Sequence, residues 1–323
     1  MADTQQHLSP NQRAWRRFRR NRLAMMGAMA TGVVVLAVFL WPFVSESEFL
    51  AKLPLIGKYV HHPDIHSDAP FVEPGGANLL GTDIHGRDLF SRIMAGARIS
   101  LIVGAIGAIV SLIIGVTWGA VAGYVGGRVD GVMMRMVDIL YSLPSIIFVI
   151  VLMTTLNGFL SAWMRAGKIN PDWVPLLKFA SLFVGLGAIS WLTMARIVRG
   201  QVLTLRHRQF VDASRALGAS DGHILWRHIL PNIAGVVIVY LTLTIPAIIL
   251  YESFLSYLGL GIQPPQASLG SLIADGALQI NPVRIYWWLL VFPSVALVGT
   301  LLALNFVGDG LRDAFDPKAD RAT

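Results

Sequence analysis

Phe210 to Asn232 reads FVDASRALGASDGHILWRHILPN, a polar, helix-forming stretch set between two strongly apolar runs. Phe210, Ala213, Ala216 and Leu217 recur at helical spacing and form one apolar stripe. Gly218 stands where a helix ends on a residue of positive φ. Ser220 can cap a following helix, Asp221 suits its first turn, and Ile224, Leu225 and Ile229 supply its apolar side. Pro231 is expected to stop the pattern before the next apolar run. A passive connection needs none of this; a docking element needs all of it. A basic hairpin lying on lipid is one alternative. A DNA-binding helix-turn-helix has similar dimensions, but apolar runs on both sides tether the element against a bilayer, which excludes a duplex.

Working outward, the 323 residues are 54% hydrophobic and only 14% charged, with mean hydropathy +0.61. Soluble domains carry about 25% charged residues, so the composition predicts a polytopic, all-α membrane protein. Six runs reach the roughly 20 apolar residues a bilayer needs: Leu23–Phe43, Ile99–Tyr124, Val132–Leu156, Leu176–Val198, Ile233–Tyr251 and Ile285–Val307. The first is too long for a signal-peptide core, and Trp41-Pro42-Phe43 is no cleavage site, so it reads as an anchor. With no cysteine, the chain has neither disulfides nor thiolate metal ligands.

The net charge of +7 is not spread evenly. Arg13, Arg16, Arg17, Arg19, Arg20 and Arg22 precede the first run, and Arg196, Arg199, Arg206, Arg208, Arg215 and Arg227 gather before the fifth. Alternating sides along six spans gives 17 basic residues on one side and 9 on the other. The positive-inside rule makes the richer side cytoplasmic. Both termini and the Phe210 segment are then internal, and 44–98 is external.

Charge is almost absent from the span interiors. Arg135 and Asp138 fall at the start of the third run, and Glu252 at the outer end of the fifth. Ion-driven transporters usually hold a carboxylate or histidine at mid-membrane, so the driving energy is expected from outside the membrane plane. Gly115, Gly119, Gly123 and Gly127 recur every fourth position in the second run. Such a stripe lets helices approach closely, either within the chain or against a second subunit. Pro144 and Pro246 are candidate kinks.

Asp212, Ala213, Ser214 and Gly218, ending in Leu230-Pro231, resemble the Glu-Ala-Ala loop of binding-protein-dependent ABC importer permeases. Asp replaces Glu, Ser the second Ala, and His228 the usual Ile, while the spacing from glycine to Leu-Pro is kept. Leu80-Gly81-Thr82-Asp83, Gly86-Arg87-Asp88, Ser91-Arg92 and Ala97-Arg98-Ile99-Ser100-Leu101 resemble the segment before the second span of C-type permeases in the peptide branch. Glu252 to Gly261 (ESFLSYLGLG) and Gly308 to Pro317 (GDGLRDAFDP) match the same group. Over residues 13–320 the chain is similar to the C-type permease subunit of an oligopeptide or dipeptide ABC importer. A lengthened external loop, Asn157 to Lys178, departs from the pattern.

That resemblance implies the type I ABC importer permease fold in a bacterial inner membrane. A basic cytoplasmic N-terminus (1–22) precedes an anchor helix (23–43) and an external loop (44–98). A five-helix core (99–308) includes a cytoplasmic coupling loop (199–231), followed by a cytoplasmic tail (309–323). It also implies a second permease subunit, two cytoplasmic ATPases and an external peptide-binding protein as partners. ATP and Mg would be bound by the ATPases and no cofactor by this chain, which lacks a phosphate-binding loop and any catalytic motif. Coupling would run through Asp212, Ala213, Ser214, Arg215, Leu217, Gly218, Ile224, Leu225 and Pro231, with Leu217, Ile224 and Leu225 filling a groove on the ATPase. Similar permeases serve nickel and antimicrobial peptides, and a stand-alone secondary transporter is the remaining alternative.

Two further signals stand apart. His61, His62, Asp64 and His66 have ligand types for zinc or nickel, although a solvated loop has the same composition. Tyr286, Trp287 and Trp288 read as an interfacial aromatic belt. The Gly- and Pro-rich stretch 259–284 is either a connection or part of the pathway.

Overall fold

The computed structural model describes residues 10–47, 59–168, 170–264, 266–280 and 284–315. The tail residues Asp316, Pro317, Lys318 and Arg321 lie outside the described residues. The architecture is helical: α1 (Pro10–Arg20), α2 (Arg22–Ser45), α3 (Leu89–Val125), α4 (Gly127–Ser142), α5 (Ser145–Arg165), α6 (Val174–Leu205), α7 (Gln209–Ala216), α8 (Asp221–Tyr257), α9 (Leu269–Leu278) and α10 (Trp287–Phe315). Six of these, α2, α3, α5, α6, α8 and α10, are long and apolar enough to cross a membrane. At 37 residues, α3 and α8 are about 55 Å long, well beyond a hydrocarbon core of about 30 Å. Their ends therefore project into the aqueous layers.

Three boundaries differ from the sequence expectation. Val132–Leu156 is not one span. Pro144 drives Leu143 into an extended conformation (φ −82°, ψ 139°), and the run divides into α4 and α5. Arg135 and Asp138 consequently lie on a short separate helix. The Asn157–Lys178 loop is mostly helical, since α5 continues to Arg165 and α6 begins at Val174. Pro231 does not stop a helix. The turn before it, Leu225–Ile229, is π-helical, with the Leu230 N–H bonded back to the Leu225 carbonyl. That widened turn makes room for a ring that would otherwise clash with the carbonyl four residues earlier. Pro246 also lies within α8 without ending it.

The chain forms two compact units. One comprises Met1–Met25, Ala105–Ile248 and Val307–Thr323. Here the glycine stripe of α3 packs against α6 within the chain. A Cβ on Gly115 would stand 2.6 Å from the Met194 Cβ, and one on Gly123 2.9 Å from the Arg199 carbonyl oxygen. Ala120, Met194, Val198 and Val202 close the contact. Trp118 and Trp191 meet edge to face at 5.1 Å and enclose Val137 of α4. Two ion pairs fasten α4 to α6: Arg199 donates from Nε and Nη2, along one guanidinium edge, to both carboxylate oxygens of Asp130, and Arg196 pairs with Asp138 at 2.7 Å.

The other unit comprises Met26–Gly104 and Ile249–Phe306. Its Gly-Thr-Asp segment forms a tight turn: the Asp83 carboxylate accepts the backbone N–H groups of His85 (2.8 Å) and Arg87 (2.9 Å) and the Arg87 Nε–H (2.7 Å). Gly81 (φ 82°) and Gly86 (φ 70°) have conformations that only glycine adopts readily. The Asp88 carboxylate accepts the Ser91 N–H at 2.9 Å in the first turn of α3. In α9, Ser268 and Ser271 form a capping box. Gly270 and Gly276 let α9 touch the backbones of Ser253 and Leu289 directly.

Glu252 organises this second unit. Its carboxylate is fully buried and accepts the Ser100 hydroxyl at 3.0 Å and the Ser256 hydroxyl at 2.6 Å. Ser100 in turn accepts the Leu269 N–H at 3.3 Å, and Ser256 the Ile262 N–H at 3.1 Å. One side chain thus joins α3, α8, α9 and the 259–262 turn. The aromatic belt is only partly a belt. Trp288 is buried and its indole N–H points at the Thr82 carbonyl oxygen (3.4 Å), while Tyr286 stacks on Phe71 at 4.1 Å. These rings seal the Gly-Thr-Asp turn, and Trp287 alone remains exposed.

Candidate functional site

The Phe210–Asn232 connection forms two helical pieces around a glycine. Helix α7 begins after Arg208, whose backbone is extended, and ends at Leu217. Gly218 follows at φ 84°, with its N–H on the Arg215 carbonyl (2.9 Å), and the Ala219 N–H returns to Ser214 (3.1 Å). This is the αL ending expected of that glycine. Ser220 then caps α8, accepting the His223 N–H at 3.4 Å.

Burial divides the element into an anchoring face and an exposed face. Val211, Ile224 and Ile229 are wholly buried and join Val198, Val202 and Ala120 in one core. The apolar stripe read from the sequence, Phe210, Ala213, Ala216 and Leu217, is the exposed side, with Leu217 at 88%. Ile224 is therefore a core residue of this chain and cannot fill a partner's groove; Leu225 packs beside the same core. The sequence reading overlooked Trp226, which is 68% exposed. Lying two residues beyond Ile224, it faces away from the core, a signal available from the buried stripe alone.

Polar side chains tie the element to its surroundings. Asp212 pairs with Arg215 at 3.6 Å on the exposed surface and caps nothing. The Tyr124 hydroxyl, at the end of α3, donates to the Asp221 carboxylate at 2.7 Å and lies 3.5 Å from the Arg215 guanidinium. Arg206 caps the C-terminus of α3 through the Gly123 carbonyl (3.1 Å). The Asp130 carboxyl is held below the ordinary carboxylate range, chiefly by its hydrogen bonds from Arg199 and further by the positive charge of that group. The end of α3 and both helical pieces of the connection thus meet at a single tyrosine.

The histidine cluster is not arranged as a metal site. His62 Nδ1 accepts the Asp64 N–H at 3.2 Å, Asp64 engages Arg92, and His66 lies against His85. Among the described residues no group of three or more ligand-type side chains could hold a metal ion.

Comparison with known proteins agrees with this architecture. The family described as "Binding-protein-dependent transport system inner membrane component" matches residues 115–321, and "N-terminal TM domain of oligopeptide transport permease C" matches residues 9–54. The chain is 42% identical over 313 residues to the oligopeptide transport system permease protein OppC of Haemophilus influenzae, covering 95% of this chain and 88% of that protein. It is 40% identical over 314 residues to the dipeptide transport system permease protein DppC of Bacillus subtilis, covering 97% and 88%. The Escherichia coli OppC is 42% identical over 309 residues, covering 95% and 91%. With most of its length matched, and such relatives spanning nearly all of it, the chain belongs to the family of binding-protein-dependent transport system inner membrane components.

Proposed function

We propose that this protein is the membrane-spanning permease subunit of an ATP-driven importer of oligopeptides or dipeptides, and that α7 is the element through which ATPases drive it. The observation that carries this reading is the division of α7 into a buried keel at Val211 and an exposed apolar edge ending in Leu217, 88% accessible. An edge of that kind on a cytoplasmic helix is a docking surface for another protein. The relatives are named as oligopeptide and dipeptide permeases, which supports peptide as cargo.

In this reading both termini and α7 face the cytoplasm, in keeping with the excess of basic residues there, and 44–98 faces outward. Two cytoplasmic ATPases bind ATP and Mg, a second permease subunit completes the pathway, and an external binding protein delivers cargo. Closure of the ATPase pair moves α7. Gly218 sets the angle between α7 and α8, Ile224 keeps α8 seated in the core, and Tyr124 passes the displacement to α3. That is a hinge switch with a stiff lever on either side.

The chain has no cysteine, so Leu217→Cys gives a single thiol for cross-linking in the reconstituted complex. The expected result is a cross-link to a cysteine in the ATPase groove, with peptide uptake that requires ATP. ATP-independent uptake by this chain alone, with no cross-link, would overturn the reading.

A further inference from the structure

In the second unit a cavity of about 410 Å³ opens beside the C-terminal end of α8, lined by the segment 84–87, the turn after α8, and α9. That volume falls within the roughly 300–1,000 Å³ of small-molecule sites. Its lining is chemically uneven. Gln263, Gln266 and Gln279 contribute side-chain amides, Tyr257 a phenol, and Asp275 a carboxylate.

The charges around the cavity favour a cation. The Arg87 Nε–H is bonded to Asp83 at 2.7 Å, and Arg92 Nη1 to Asp64 at 3.2 Å. Asp83 also lies 4.0 Å from Arg92 Nε, and Asp275 feels both guanidinium groups through space, so three carboxylates, Asp64, Asp83 and Asp275, stand against two guanidinium groups and leave one negative charge in excess. Among the described residues Asp275 has no hydrogen bond and no ion pair, nor have the side-chain amides of Gln266 and Gln279. The site offers one negative charge and amide groups that can both donate and accept. A free peptide has the complementary set: an α-ammonium group, and main-chain N–H and C=O groups common to every sequence.

We propose that this cavity is a peptide subsite of the permease itself, in which Asp275 receives the α-ammonium group and the glutamine amides bond the peptide main chain. The assignment rests on the peptide-import reading and adds to it. Main-chain recognition by amides is indifferent to side chains, which suits a pathway that passes cargo selected elsewhere. The rim at 84–87 belongs to the segment read as external, so the subsite would meet cargo on entry.

The test uses the complete reconstituted complex and a tri-alanine probe with a photo-reactive side chain in place of the central methyl, with cross-links mapped by proteolysis and mass spectrometry. The wild-type complex is expected to cross-link within 263–279, with competition from unlabelled tri-alanine. Asp275→Asn should lower that yield about tenfold, as loss of one charged hydrogen bond implies, and Asp275→Glu should restore most of it. Acetylating the probe's amine should cost the wild type as much, and Asp275→Asn should then make no further difference. Cross-links confined to other segments, or yields indifferent to both Asp275→Asn and acetylation, would overturn the proposal. A wild-type complex that imports no tri-alanine at all would instead overturn the peptide-import reading.

Discussion

The Tyr124 hydroxyl donates a 2.7 Å hydrogen bond to the Asp221 carboxylate, joining the last turn of α3 to the first turn of α8. The Arg215 guanidinium of α7 lies 3.5 Å from the same oxygen. If α7 is the lever, this contact carries its motion into α3. Tyr124→Phe keeps the ring that Arg215 approaches and removes only the hydroxyl. An exposed hydrogen bond of this kind contributes about 1 kcal/mol, so the peptide imported per ATP hydrolysed should fall about fivefold. Basal ATPase activity should stay near the wild-type value. Proteoliposomes assayed for both quantities give the ratio directly.

Gly218 separates backbone strain from crowding. Its φ is 84°, yet an added Cβ would meet nothing within 4 Å. Any effect of substitution must therefore come from the positive φ, which costs an L-residue about 1–2 kcal/mol and a β-branched residue more. Gly218→Val should insert normally but uncouple hydrolysis from uptake. Gly218→Asn, which tolerates the αL region, should retain most transport. Equal uptake by the two variants would remove the hinge from the mechanism.

Gly119 presents the opposite case. It is helical, but a Cβ there would collide with the Ala195 carbonyl oxygen of α6, a backbone atom that cannot swing aside. Gly119→Val should destabilise the α3–α6 contact by about 1–3 kcal/mol and lower the thermal midpoint followed by tryptophan fluorescence. Gly131→Ala meets nothing within 4 Å in the middle of α4 and should be neutral or slightly stabilising.

The ion pair of Asp130 with Arg199 sets a pH dependence. The folded-state pKa of Asp130 is lowered by its hydrogen bonds from Arg199. A depressed carboxyl pKa contributes stability above the unfolded value of about 3.9, and that contribution is lost as pH falls through the folded value. Asp130→Asn should therefore lower the thermal midpoint at pH 7. The gap from wild type should narrow below about pH 4. A gap of constant size down to pH 3 would assign the effect to packing.

Five of the six spans and the glycine that ends α7 were legible because each rests on a local rule: a run of apolar residues long enough for a bilayer, or a glycine at a helix end. What escaped depends on neighbours distant in sequence. Pro144 and Pro231 carry the same local signal, yet the first breaks the helix and the second lies in one. The difference is the π-helical turn at Leu225–Ile229. Trp288 has the composition of an interfacial anchor but is buried against the Thr82 turn, some two hundred residues earlier. Within Phe210–Asn232, Ile224 and Leu217 are equally apolar, and only the packed core shows that the first is buried and the second exposed. Helix α9 was hidden because Gly270 and Gly276, which weaken a helix locally, serve its contact with Ser253 and Leu289.

Glu252 tests whether the second unit depends on a single buried carboxylate. Its partners are hydroxyl donors, and two of them, Ser100 and Ser256, are already accepting backbone N–H groups. Neither serine can easily reverse to accept from an amide. Glu252→Gln therefore preserves shape but sets an N–H₂ group against a donor, whereas Glu252→Ala leaves the hydroxyls without an acceptor and opens a cavity. Leaving buried polar groups unsatisfied costs about 1–3 kcal/mol each, and the cavity adds to that. Both variants should lower the thermal midpoint of the purified complex, alanine by more. Both should also raise proteolytic cleavage in 259–268, the turn that Ser256 and Ser100 hold in place. A glutamine variant as stable and protease-resistant as wild type would show that the carboxylate is protonated in the folded protein and that its charge has no structural role.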